Sequence, residues 1–111
     1  MKKILPLGSV VRLNDMSFLI AGYRPMERKE SVVMGYILIP WPWGFLNRKK
    51  IWICPVSEIE EIVAEGYQNK AGDIFLEKID RIERKGKDTN YREFVKLINA
   101  FKENVDNREA T

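Results

Sequence analysis

Alternating apolar and polar positions predict β-strands in the first half of the chain. Two β-prone segments, 9–13 and 17–23, flank Asn14 and Asp15, residue types that tolerate the left-handed backbone of tight turns. These segments predict a hairpin. The polar stretch 25–30 predicts a loop after the second strand.

A third strand is predicted from Ser31 to Ile39, where the apolar run shows little alternation. Such a run is typical of a central strand covered on both faces. Pro40 and Pro42 end it, because proline cannot donate to a sheet ladder. A short fourth strand is predicted from Ile51 to Cys54.

The apolar spacing becomes helical in the second half. Ser57 and Glu60 have the spacing of a capping box, which predicts a short helix ending at Gly66, with the acids of 58–65 on its surface. A second helix is predicted to begin between residues 69 and 73 and to end near residue 86. A third begins at 88–90 and carries an apolar stripe of Tyr91, Phe94, Val95, Ile98, Phe101 and Val105.

These elements predict one α+β domain over residues 1–106, followed by a flexible tail at 107–111. The expected architecture is a small antiparallel sheet of about four strands followed by one short and two longer helices. Both amphipathic helices need a surface to cover, and the sheet is the surface available.

Composition narrows the chemistry. The 111 residues include no histidine and one cysteine, Cys54, which lies in an apolar context that disfavours a reactive thiolate. Neither a nucleotide-binding glycine motif nor a spacing of metal ligands is present, so we expect no enzyme, no cofactor and no metal site. The lone cysteine, the missing signal peptide and the lack of a long apolar run predict a cytoplasmic protein without a membrane span.

The aromatic loop, residues 40–46, is the most informative local feature. Its large apolar residues are Trp41, Trp43, Phe45 and Leu46. A basic run follows them directly, with Arg48, Lys49 and Lys50. Three interpretations remain open: the tryptophans cap the core, anchor a protein partner, or stack on bases while the cations contact phosphates. We predict a protein partner that contacts the loop and Tyr36, with nucleic-acid binding as the alternative.

A family resemblance rests on three segments: 5–13 (Leu-Pro-Leu-Gly-Ser-Val-Val-Arg-Leu), Pro42-x-Gly44, and 62–67 (Ile-Val-Ala-Glu-Gly-Tyr). Together they resemble the bacterial family named domain of unknown function 4176. The resemblance implies a small cytoplasmic protein of Gram-positive bacteria, encoded near type VII secretion components and LXG-type toxins. It therefore implies an accessory, adaptor or chaperone role, with a secreted toxin or another small accessory protein as the partner.

Overall fold

The computed structural model describes residues 4–28, 31–85 and 92–100, and it shows an α+β fold. One five-stranded antiparallel sheet has the strand order β4-β3-β2-β1-β5, and helices follow it in the sequence. The elements are β1 Val10–Leu13, β2 Met16–Arg28, β3 Ser31–Pro40, β4 Trp52–Pro55, β5 Glu61–Ala64, α1 Lys70–Lys85 and α2, which covers 92–100. The predicted fold class is confirmed, with one strand more than expected.

The predicted first hairpin is confirmed. Asn14 and Asp15 form its turn with φ values of 51° and 63°, the left-handed conformation that a two-residue hairpin turn requires. Leu13 and Met16 are paired directly beside the turn.

The second hairpin is longer than predicted, because β2 continues through the stretch interpreted as a loop. Pro25 pairs with Met34, and the ladder runs on to Arg28 and Ser31. A register shift between Ile20 and Gly22 marks a bulge in β2. Cross-strand pairing therefore overrides the polar composition of 25–28.

One face of the sheet, the inner face, carries the core. Its strand residues alternate with outward-facing ones and pack against buried side chains of both helices; the cluster includes Val11, Phe18, Ile20, Tyr36, Leu38, Ile79, Ile82 and Phe94. On the opposite face, Ile37 and Ile39 are half-buried. Among the described residues, β3 is therefore fully covered on its inner face and partly covered on the other.

The predicted short helix is replaced by a 3-10 turn, Val56–Glu58, and by β5. Ile62 pairs with Val11 of β1, and Glu61 forms an ion pair with Arg12 at 3.8 Å. β1 would otherwise expose a row of unpaired backbone groups, and β5 satisfies them. The β-branched residues Ile62 and Val63 suit this strand, so non-local pairing prevails over the local capping signal.

α1 agrees with the predicted second helix, and the described residues 92–100 are helical as predicted for the third. The predicted start of the third helix at 88–90 and its stripe residues Tyr91, Phe101 and Val105 lie outside the described residues. The Asn69 side chain caps α1 by accepting a hydrogen bond from the Gly72 backbone N–H at 2.8 Å. In α2, Phe94 is buried in the core and Leu97 packs against it. The predicted tail at 107–111 lies outside the described residues.

Two tyrosine hydroxyls hold the backbone of Leu5 beneath the sheet. The Leu5 N–H donates to the Tyr36 hydroxyl at 2.8 Å, and the Tyr23 hydroxyl donates to the Leu5 carbonyl at 2.6 Å. Burial, with a smaller contribution from Tyr36, raises the pKa of Tyr23 above its usual value. The Tyr23 hydroxyl therefore keeps the proton that it donates to Leu5.

Tyr36→Phe is expected to lower the free energy of unfolding by about 1–3 kcal/mol, because it leaves the buried Leu5 N–H without an acceptor. Urea denaturation measures the loss. Tyr67→Phe removes the same hydroxyl from an exposed side chain and is the matched control. A loss for Tyr36→Phe no larger than that of the control would show that the hydrogen bond contributes nothing.

Candidate functional site

The aromatic loop is fixed at both ends by backbone hydrogen bonds. The Trp41 N–H donates to the Ser17 carbonyl at 3.0 Å, which extends the β2–β3 pairing by one residue. The Gly44 N–H donates to the Pro40 carbonyl at 2.7 Å and closes the turn. Gly44 has a φ of 79°, a conformation that a residue with a side chain rarely adopts. The loop thus has a defined shape at its base.

All four large apolar side chains of the loop are exposed. Trp43 is 70% exposed, and Trp41, Phe45 and Leu46 are each about half exposed or more. None of them belongs to the core cluster. Capping of the core, one of the three interpretations left open above, therefore does not describe this loop.

Tyr36 has a different place. It is 1% exposed and lies on the inner face of β3, where its hydroxyl accepts from Leu5. This placement corrects the prediction that Tyr36 contacts a partner together with the aromatic loop, because its side chain is almost fully buried on the inner face of the sheet. The pleat of the strand turns it toward the helices, whereas the loop projects beyond the end of the strand.

A basic turn, Arg48–Lys50, follows the loop as one turn of 3-10 helix. Asn47 caps it by accepting a hydrogen bond from the Lys49 N–H at 2.8 Å. The three cationic side chains are exposed and form no ion pair with another described residue. They lie next in sequence to the exposed aromatic groups, so cationic and apolar surfaces adjoin.

Trp52 was not among the predicted site residues. It begins β4 just after the basic turn, is partly exposed, and its ring centroid lies 5.1 Å from that of Phe18. Its signal in the sequence is weak, because an aromatic residue in a short strand is usually part of a core.

A second surface, the acidic groove, lies beside β5. It is a cavity of about 300 Å³ that combines apolar side chains with three exposed carboxylates; its lining is Leu5, Tyr36, Val56, Ile59, Glu60, Glu61, Ile62 and Glu65. The cluster of acids was visible in the sequence. The helix predicted for this segment places these acids on a helix surface. The groove forms because the segment instead pairs with β1 as β5.

The described residues bring together few groups that could act in catalysis or bind a metal. Cys54 is buried, and no group of three or more potential metal ligands occurs among residues 4–28, 31–85 and 92–100. Within the same residues, no helix has the length and apolar character needed to cross a membrane.

Comparison with known proteins identifies the family. No curated protein and no solved structure is significantly similar to the chain. The family model described as domain of unknown function (DUF4176) matches residues 4–75, which include the whole sheet, the aromatic loop and the start of α1. The chain therefore belongs to the DUF4176 family.

Proposed function

We propose that this protein is a non-enzymatic protein-interaction module and that the aromatic loop is its anchor. The observation that carries the proposal is the exposure of Trp43 together with three neighbouring large apolar side chains. A tryptophan buries roughly 150–250 Å² when it is covered, and Trp is enriched among residues that dominate binding energy. At about 25 cal/mol per Å², full burial of one indole gains on the order of 4–6 kcal/mol as an upper limit.

The shape of the loop supports the same role. Its base is held by the Trp41 and Gly44 hydrogen bonds, and two prolines restrict its backbone. A loop that is already ordered loses little conformational entropy when it docks. The free energy gained by burying the aromatic side chains then contributes to affinity with little loss to ordering.

The partner class comes from the family resemblance. Because the resemblance implies proximity to type VII secretion genes, we propose an accessory, adaptor or chaperone role for a secreted toxin or another small accessory protein. A cytoplasmic location is proposed with it, and a single cysteine, Cys54, which cannot form a disulfide within the chain, supports a reducing compartment.

Nucleic-acid binding is the second candidate, and one observation favours it: the exposed cations of the basic turn directly follow the exposed aromatic groups. Bases stack on aromatic side chains while cations contact phosphates. The two candidates differ in salt dependence, because each phosphate contact releases counterions and steepens the loss of affinity with salt. An apolar anchor is much less sensitive.

Affinity capture of the tagged protein from its native cell tests the proposal. Trp43→Ala is expected to lose the captured partner, whereas Tyr67→Ala, which removes an exposed aromatic side chain outside the loop, is expected to retain it. Quantitative mass spectrometry of the two captures gives the comparison. Equal recovery of the same proteins by both variants would contradict the anchor role.

A further inference from the structure

Two exposed surfaces carry opposite charges, most of which form no ion pair with any residue that the structure describes. Arg48, Lys49 and Lys50 form no ion pair with another described residue. In the acidic groove, Glu61 pairs with Arg12. Within 4–28, 31–85 and 92–100, Glu60 accepts from the Asn14 N–H and Glu65 from the Gln68 amide, and neither forms an ion pair. The cations border an exposed apolar loop, and the carboxylates border an apolar cavity. The two surfaces are therefore complementary in charge.

One surface projects from the fold and the other is a depression. The aromatic loop projects from the end of β3, and none of its residues lines the acidic groove. The groove is a half-open depression of about 300 Å³, which is wide enough to admit the end of a large apolar side chain. Ile62, half exposed at the rim, offers an apolar contact to such a ring.

The aromatic loop and one end of the acidic groove, at Glu61, lie at the same end of the sheet. The Trp41 N–H bonds to Ser17, Ser17 pairs with Arg12, and Arg12 pairs with Glu61, so these residues form one row across β3, β2, β1 and β5. Three strand spacings of about 4.8 Å separate the ends of that row by roughly 14 Å. A two-fold rotation about an axis normal to the sheet, placed beyond this end, brings the loop of each copy toward the Glu61 end of the other copy's groove.

We propose that a second copy of this chain occupies the aromatic loop, in a two-fold dimer in which each loop enters the acidic groove of the other copy. This inference rests on the proposed function, since it names one partner for the same loop. One loop alone is small beside a standard interface of about 800 Å² per partner, whereas the two-fold arrangement uses a loop and a groove from each copy. The closed symmetry also prevents growth into a filament.

Charge exchange between the two surfaces tests the dimer. Lys49→Glu with Lys50→Glu places acids against the acidic groove, and Glu60→Lys with Glu65→Lys places cations against the basic turn. We expect each double variant alone to weaken dimerisation by about tenfold or more, and an equimolar mixture of the two to restore it. Lys70→Glu with Lys78→Glu makes the same charge change on exposed positions of α1 and is the control.

Sedimentation velocity over a concentration series gives the result for each protein and for the mixture, and circular dichroism checks that every variant is folded. The wild-type dimer is also expected to weaken between about 0.05 M and about 1 M salt, as screening shortens the reach of the charges, but less steeply than a complex held by phosphate contacts, because the apolar contact of the loop is retained. A monomeric wild type at every concentration in low salt overturns the dimer, and so does a mixture that fails to associate when both variants are folded.

These measurements distinguish failure of the dimer from failure of the proposed function. If the wild type is monomeric but Trp43→Ala still loses a captured protein, the loop binds another protein and only the dimer is wrong. If Trp43→Ala changes neither dimerisation nor capture, the anchor itself is wrong.

Discussion

Phe94→Ala is expected to lower the free energy of unfolding by about 3–5 kcal/mol. Phe94 is 8% exposed and joins α2 to a core that also contains Ile79 and Ile82 of α1. Truncation removes the burial of the ring and leaves a cavity between α2 and the rest of the core. Urea denaturation followed by far-ultraviolet circular dichroism measures the loss.

Ile98→Ala is the matched control on the same helix, because Ile98 is exposed. Its effect is expected to stay within about 0.5 kcal/mol, the usual range for surface substitutions. A loss below about 1 kcal/mol for Phe94→Ala would mean that α2 does not pack on the sheet.

Gly66→Ala is expected to cost about 3 kcal/mol, the upper end of the range for overpacking. A Cβ atom at Gly66 would overlap the Leu7 carbonyl oxygen and the Gly8 backbone. Backbone atoms have no alternative rotamer, so the strand end itself must move. That movement also strains the hydrogen bond from the Gly66 N–H to the Ser9 hydroxyl, which is 3.0 Å long.

Gly72→Ala provides the comparison, since its Cβ would approach only the end of the Asn69 side chain, at 3.2 Å. Alanine also favours the helix, so the net change is expected to stay within about 1 kcal/mol. Thermal melts of the two variants measure the difference. Equal melting temperatures would show that the chain at Gly66 shifts away from Leu7 without cost.

Local signals were sufficient for much of the fold. Asn14 and Asp15 identify the first hairpin because their conformational tolerance matches its turn, and the helical spacing of Phe75, Ile79 and Ile82 identifies α1. The prediction of a short helix was wrong because the capping signal of Ser57 and Glu60 is local. The edge of β1, with which β5 pairs instead, is distant in sequence.

Periodicity was less informative about which side chains face the core. In α2 the predicted stripe contained Phe94 and Ile98, yet Leu97 packs on the core while Ile98 is exposed. Leu97 and Ile98 are adjacent apolar residues at the margin of the same stripe, so helical spacing alone does not decide which of them turns toward the core. Packing of α2 against the core determines which of its side chains are buried.

The candidate site shows the same limit. Trp41 and Trp43 mark the aromatic loop by composition, but the same residues could have capped a core, so exposure had to come from the structure. Tyr36 was misplaced because an almost continuously apolar strand does not reveal which of its faces is covered. The acidic groove was missed because it depends on β5.

The central claim is that Trp43 serves binding and not folding, and one variant tests both parts. For Trp43→Ala, titration calorimetry with the captured partner is expected to show affinity weakened by at least about 2 kcal/mol, roughly 30-fold, as at a hot spot. Urea denaturation of the same variant is expected to show stability unchanged within about 0.5 kcal/mol. Unchanged affinity, or a loss of stability of about 2 kcal/mol or more, would contradict the claim.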